Sequence, residues 1–168
     1  TRKHVTVVLS GLGGDEIGAG YERHLGIRLQ QFYRELPRAL REGVVERAVN
    51  RLPDSRKGSR VVERAKRFVR TGAMSSSDAY FRYVAAFDDD RRPGIYSARL
   101  RGALHLQSAK ATFEHHFGRA GIADVLNRAL YTDIMMYLPG DLLTLTDRMS
   151  MLHSIEARAP FIDHTLME

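Results

Sequence analysis

The 168 residues contain no cysteine. A disulfide scaffold, a thiolate metal site and a cysteine nucleophile are excluded together. No apolar run approaches the roughly 20 residues needed to span a bilayer. The opening stretch TRKHVTVVLS has no initiator Met, and its apolar run is too short for a secretory signal and is followed by no cleavage site. Walker A, G-x-G-x-x-G and H-E-x-x-H are all missing, as are internal repeats and low-complexity tracts. The seven histidines are scattered. His115 and His116 are adjacent and cannot share a helix face as metal ligands, so no zinc site is expected. The two ends read as cuts through a longer, cytoplasmic protein, because FIDHTLME stops inside what reads as the start of a helix.

What is present is a folding composition, with 43% hydrophobic and 27% charged residues. That is enough for one domain with a sizeable core. The net charge is +6, carried mostly by arginine, and it is unevenly spread. Residues 34–70 hold 12 basic and 5 acidic side chains, whereas residues 110–168 hold 8 acids against 5 Lys and Arg. A basic face of this kind can bind nucleic acid or another polyanion. The simpler reading is a solvated surface, since aromatics are not interleaved with the charges as they are on base-stacking surfaces.

Residues 5–9 (Val-Thr-Val-Val-Leu) read as a strand buried on both faces, as in a parallel sheet. Gly11, Gly13 and Gly14 end it, and a helix is expected from Asp15 to about His24. In residues 27–50 an amphipathic pattern puts Ile27, Phe32, Leu36, Leu40, Val44 and Val45 on one side, with Pro37 kinking or dividing the stretch. Residues 52–59 form a turn cluster, and residues 60–70 resume a helix. SSSD at 75–78 resembles an N-terminal cap, with Asp78 in the first turn. Residues 88–94 read as a loop, and 110–117 and 122–137 as helices. Leu138-Pro139-Gly140 breaks the pattern, and Asp141 caps a last helix through about Ile155. The fold class is therefore mostly α with one N-terminal buried strand. A single strand is not stable alone. Its partners are expected upstream, or in a second copy paired along residues 5–9 as a homo-oligomer.

Two constellations carry chemistry. In SGLGGDE, Ser10 and Gly11 stand at the carboxyl end of a parallel strand, where ligands bind in open α/β sheets. Glycines let backbone N–H groups approach an anion closely. Asp15 and Glu16 supply hard oxygens suited to Mg²⁺ beside substrate phosphates. The competing reading is a strand-to-helix turn whose two acids favour the helix N-terminus by about 0.3–1 kcal/mol. Spacing does not choose between them. The second constellation runs from 131 to 164. Leu142, Leu145, Met149 and Leu152 follow a spacing that buries one helix face. Asp147 lies among apolar residues, and Arg148 or Arg158 is at hand to pair with it if it is buried. Glu156 and Arg158 lead into Ala-Pro-Phe, where the helix must end. The simpler reading is a core helix with one structural ion pair.

LSGLGGDEIGAGYERH closely resembles the S-G-x-G-G-D-E-L-F-x-G-Y motif of glutamine-hydrolysing asparagine synthetases and β-lactam synthetases. YLPGDLLTLTDRMSMLHSIEARAPFIDH resembles that family's second long motif, Y-L-P-x-D-L-L-x-K-x-D-R-x-S-M-A-x-S-L-E-x-R-x-P-F-L-D-H. The resemblance implies part of an ATP-pyrophosphatase-type (adenine nucleotide α-hydrolase-like) α/β domain, with ATP and Mg²⁺ as cofactors. It implies a ligase that adenylates a carboxylate, aspartate first, and aminates it with ammonia from glutamine. Ser10 and Gly11 would contact the nucleotide and Asp15 the Mg²⁺, with Glu16, Asp133, Asp147, Arg148, Glu156 and Arg158 lining the pocket or supporting it.

The whole of 1–168 would be a partial synthetase domain: 1–24 strand, turn and helix, 25–122 helical, and 123–168 the second motif. Its other partner would be the missing N-terminal part of its own chain, with no membrane and no nucleic acid involved. No S-G-G-x-D-S pyrophosphate loop and no glutaminase cysteine occur in the sequence, and the family's phosphate-binding Lys falls beyond Glu168. The chain alone is expected to be inactive. No catalytic residue is named, because Leu12 occupies the family's usual acidic position. Leu12 neither takes a proton nor binds an amine, so the acceptor could be a carboxylate other than aspartate, as in cell-surface, lasso-peptide or secondary metabolism. Ile17 and Gly18 replace the usual Leu-Phe, and Thr146 stands where Val is common. A reading of another class is a non-enzymic helical module that binds a polyanion through 34–70.

Overall fold

The computed structural model describes residues 1–53, 60–86, 92–103, 109–119 and 121–167. It is mostly helical. In chain order the elements are β1 (Val7–Leu9), α1 (Gly14–Gly18), α2 (Glu22–Glu35), α3 (Arg38–Leu40), a π-helical turn (Arg41–Val45), α4 (Glu46–Asn50), α5 (Arg60–Gly72), α6 (Ser76–Val84), α7 (Arg92–Ile95), α8 (Ala98–Ala103) and α9 (Ala109–Phe117). Then follow α10 (Val125–Thr132), a π-helical run (Asp133–Leu143), α11 (Thr144–Leu152), β2 (Glu156–Arg158), a 3₁₀ turn (Pro160–Ile162) and α12 (His164–Met167). Two compact units emerge. One joins Thr1–His24 to His115–Glu168, and the other is Leu25–Glu114.

The first unit holds the only strands among the described residues. β1 pairs with β2 in parallel, with Val7 opposite Glu156, Val8 opposite Ala157 and Leu9 opposite Arg158. The strand partner expected upstream or in a second copy is thus found within the chain. β2 escaped notice because three residues of Glu-Ala-Arg carry no β-branched signal. Nor is β1 buried on both faces: Val7 is exposed and Leu9 is 76% exposed. Burial instead collects at Phe117, Ala129 and Leu138, with Glu16, His24, Thr132 and Asp133 among them.

The helix expected from Asp15 to His24 is two. α1 ends because Ala19 takes a left-handed conformation (φ 56) and the Gly20 N–H closes on the Asp15 carbonyl at 3.0 Å. A side chain at Gly20 would meet the Asp15 carboxylate, and that exposed side chain would have to swing aside to accommodate it. Pro139 does not break the helix, and Asp141 does not cap a new one. Both lie inside the π-helical run, which continues through Pro139 although the proline has no N–H to donate. The Thr144 hydroxyl donates to the Pro139 carbonyl at 2.7 Å, satisfying an acceptor there. α11 stops at Leu152 rather than Ile155, because Ser154 is left-handed (φ 55) and the Ile155 N–H returns to the Ser150 carbonyl at 3.0 Å. Its expected apolar face is open: Leu145 and Met149 are exposed and Leu152 is 74% exposed.

In the second unit Pro37 divides the helix as expected, between α2 and α3. Of the expected line Ile27 is buried, beside Gln30 and Tyr33, whereas Phe32 is 60% exposed and Leu36, Leu40 and Val44 also face out. Gln30 changed the face. Its amide nitrogen donates to Thr71 and, at 3.1 Å, to the Tyr83 hydroxyl, so both amide protons of a buried polar residue have acceptors. Tyr80, Phe81 and Phe113 form an aromatic core, with ring centroids 5.2 Å apart for Phe81–Phe113 and 6.2 Å for Tyr80–Phe113. Of the expected turn at 52–59, residues 54–59 lie outside the described residues, as do 88–91 of the expected loop at 88–94. Arg92–Ile95 is helical rather than loop.

Ser75 caps α6 as expected. Its Oγ accepts the Asp78 N–H at 3.0 Å and donates to the Asp78 carboxylate at 2.6 Å. Lys110, 2.6 Å from Asp78, and Ser75 together hold that carboxyl below its ordinary range. A depressed folded value means stabilisation that is present above the unfolded pKa and lost as pH falls through the folded one. Ser75→Ala is expected to cost about 1 kcal/mol in urea unfolding at neutral pH. An unchanged midpoint would show that the cap contributes nothing.

Candidate functional site

The glycine turn sits where β1 leaves its ladder. The Ser10 N–H donates to the Arg158 carbonyl at 2.7 Å, and the Glu156 N–H donates to the Thr6 carbonyl at 2.8 Å. The two strand ends are thereby locked together, and the turn emerges at the carboxyl end of a parallel pair, the position where open α/β sheets bind ligands. The Ser10 hydroxyl accepts the Leu12 N–H at 3.3 Å and keeps its own proton to give. The Gly14 N–H closes on the Gly11 carbonyl at 3.3 Å.

Gly13 is buried, with φ 91, and leads into α1. Beneath it lie Phe161 and Ile162, close enough that a side chain at Gly13 would meet the Ile162 Cγ2 at 2.4 Å. At Gly11 the surroundings are open, and an added Cβ would meet nothing within 4 Å. Two glycines of one motif thus serve opposite ends: Gly13 faces the protein and Gly11 faces space a ligand can fill.

The adjacent acids part in the same way. Asp15 is exposed, whereas Glu16 is 1% exposed and accepts a hydrogen bond from the Tyr21 hydroxyl. Burial, with Glu16 as acceptor, pushes the Tyr21 phenol well above its usual range, so Tyr21 remains the donor. Arg23 stacks its guanidinium over Tyr21, 3.8 Å from the ring centroid, and over Tyr137 at 4.7 Å. The same guanidinium donates to Asp133 from Nε at 3.1 Å and from Nη2 at 2.8 Å. His24 Nε2 stands 2.8 Å from that carboxylate oxygen. Asp133 is 2% exposed.

Of the residues singled out in the sequence, Ser10, Gly11, Leu12, Asp15 and Glu16 share the turn, and Glu156 and Arg158 stand on the strand beside it. Asp133 belongs to the buried network around Arg23. Glu156 and Arg158 pair with each other at 2.8 Å on exposed β2, and the Arg158 guanidinium holds the Glu156 carboxyl below its ordinary range. Asp147 is not buried: it and Arg148 are exposed on α11, and Asp147 has no ion pair among the described residues. The buried carboxylate of the second motif region is Asp133. Tyr21, Arg23, His24 and Tyr137 went unnoticed in the sequence. The signal for Arg23 and His24 was their place on the helix directly after Gly20-Tyr21.

No cluster of three His, Cys, Asp or Glu capable of holding a metal occurs among the described residues. Asp15 offers one exposed hard oxygen pair, while Glu16 is committed to Tyr21. One carboxylate completed by phosphate oxygens is a donor set that Mg²⁺ accepts, so the turn fits a metal brought in with a nucleotide and not one caged by protein. No helix of the described residues is long and apolar enough to cross a membrane.

A family model described as Asparagine synthase matches residues 1–168. Asparagine synthetase (glutamine-hydrolyzing) 1 of Bacillus subtilis (strain 168) is 26% identical over 170 residues, covering 99% of this chain and 24% of that protein. A putative asparagine synthetase (glutamine-hydrolyzing) of Mycobacterium bovis is 26% identical over 162 residues, covering 96% of this chain and 23% of that protein. A putative asparagine synthetase (glutamine-hydrolyzing) 2 of Methanocaldococcus jannaschii is 58% identical over 40 residues, covering 24% of this chain and 8% of that protein. The chain spans about a quarter of the length of the first two. No solved structure matches it. With both motifs joined in one turn and one strand pair, and the match running from end to end, the chain belongs to the asparagine synthase family, whose domain is of the ATP-pyrophosphatase type.

Proposed function

We propose that this chain supplies the nucleotide-facing turn of a glutamine-hydrolysing, ATP-dependent amidotransferase that converts a carboxylate, aspartate first, into its amide. The observation that carries the reading is the division of labour in the turn. Gly13 and Glu16 are spent on the protein, while Gly11, the Ser10 hydroxyl and Asp15 are left facing outward at the carboxyl end of a parallel strand pair. In the reaction a carboxylate oxygen of the substrate attacks the α-phosphorus of ATP and pyrophosphate departs. Ammonia then attacks the acyl carbon and AMP departs. Charge builds on phosphoryl oxygens, so the work falls to positioning and to electrostatic contact. Gly11 lets the adenylate approach the backbone, and Ser10 donates from its hydroxyl, its N–H being held by Arg158. Asp15 would hold Mg²⁺, which offsets phosphate charge when bound. Glu16, Tyr21, Arg23, His24 and Asp133 keep the turn in place from behind.

Leu12 is half-buried, and its N–H is tied to Ser10. Its side chain gives the amide-forming step no proton carrier at this position, which favours, as a second reading, an acceptor other than aspartate. One assay separates the two. Pyrophosphate release by the full-length protein is measured with ATP, Mg²⁺ and ammonia, with aspartate against a panel of other carboxylates. Asp15→Ala is expected to lower release at least ~100-fold, with the fold unchanged because Asp15 is exposed. Release with aspartate supports the first reading, and release only with another acid supports the second. Full activity in Asp15→Ala would remove Asp15 from the site.

A further inference from the structure

The second unit contains a cavity of about 590 Å³ between α5 and α6. Four cations line it, Lys66, Arg67, Arg70 and Arg82, against one carboxylate, Glu63. On α5 the residues 63, 66, 67 and 70 recur at three- and four-residue spacing, so they share a face. Arg82 comes from α6. Among the described residues no ion pair forms to Arg67, Arg70 or Arg82. Asp78 lies within range of the charge of Arg82, but that carboxylate is taken by Lys110 and Ser75. The Tyr83 hydroxyl, also in the lining, is fixed by Gln30 at 3.1 Å and Thr71 at 3.2 Å.

Cations gathered this closely repel one another, and a concave wall of low dielectric concentrates their field. The arrangement gains stability when an anion enters. Guanidinium groups match phosphate oxygens two at a time, and three of the four cations are arginine. The volume falls in the range of small-molecule sites, roughly 300–1,000 Å³. Stacking aromatics, which a nucleic-acid strand would use, are not among the lining residues apart from the tethered Tyr83.

We propose that this cavity is a second anion site, separate in its residues from the glycine turn, that takes a small molecule bearing two or more linked phosphates. The test is calorimetric titration of tripolyphosphate into the 168-residue chain at about 50 mM salt, repeated at higher salt. The expected result is one saturable site per chain, weakened as salt rises. Arg67→Gln with Arg70→Gln should lower its affinity at least tenfold, with the circular dichroism unchanged. Arg82→Gln, on the other helix, should act in the same direction and keeps the test valid if the α5 double variant fails to fold. Gly11→Ala should leave this binding as it is, which separates it from the nucleotide turn. The proposal is overturned by an absence of saturable binding. It is overturned equally if Arg38→Gln with Arg47→Gln, outside the cavity lining, weakens binding as much. A single-stranded RNA that displaces tripolyphosphate with a stoichiometry growing with its length would instead make this face a nucleic-acid surface and end the proposal.

Discussion

Asp133→Ala is expected to destabilise the protein by about 3 kcal/mol in urea unfolding, the largest loss among the single substitutions at polar residues. The carboxylate is buried, and three donor atoms converge on one of its oxygens: Arg23 Nε, Arg23 Nη2 and His24 Nε2. Removing it leaves a guanidinium facing a dry hole beside a buried imidazole. The usual cost of breaking such a pair is roughly 3–5 kcal/mol. The lower end applies because Arg23 keeps 16% of its side chain in contact with solvent and retains its stacking on Tyr21 and Tyr137. Asp133→Asn keeps the shape and one acceptor oxygen, and its expected cost is about 1–2 kcal/mol. The difference between the two variants measures how much of the loss is charge. If Asp133→Ala cost less than about 1 kcal/mol, desolvation of the three groups would cancel their attraction, and the network would serve to fix geometry without adding stability.

That network also shows where the sequence was legible. The glycine turn, the Pro37 division, the Ser75 cap and the helices at 60–70 and 110–117 were readable because each has a local cause: a backbone freedom, a missing N–H, a hydroxyl three residues before its donor. Asp133 was named only as a residue lining the pocket or supporting it, and its partners Arg23 and His24 lie about 110 residues away, where no local pattern names them. The same holds for β2. Glu156–Arg158 becomes a strand only because β1 stands beside it. Asp147 was misplaced for the opposite reason. Its apolar flanks Leu145, Met149 and Leu152 suggested an interior, yet all three are exposed, so the helical period was right and the inference of burial was not. At Pro139 a local rule was overridden. Proline forbids an α-helical bond, and the chain answered with a π-helical run rather than a break.

Gly13→Ala should cost about 3 kcal/mol, while Gly11→Ala, two residues away in the same motif, should change stability by less than about 0.5 kcal/mol. Two separate causes act at Gly13. Its φ of 91 is a left-handed region in which an L side chain is strained by about 1–2 kcal/mol. Its Cβ would also stand 2.4 Å from the Ile162 Cγ2, and overpacking of this kind costs about 1–3 kcal/mol. Adding Ile162→Ala removes the obstructing methyl but not the backbone strain. The double variant should therefore recover about 1 kcal/mol relative to the sum of the two single changes, and that coupling is direct evidence that the two distant motifs touch. Strict additivity would mean that Ile162 does not support the turn. At Gly11 neither cause operates, since φ is unexceptional and nothing lies within 4 Å of an added Cβ. An effect of Gly11→Ala would have to come from what occupies the open side. On the reading proposed above, that is the adenylate, and ATP affinity of the full-length protein should fall about tenfold while its unfolding midpoint holds. A Gly11→Ala protein that bound ATP as the wild type does would leave the turn's outward face without a ligand. The joining of the two motifs through Gly13 and Ile162 would then stand as a purely structural device.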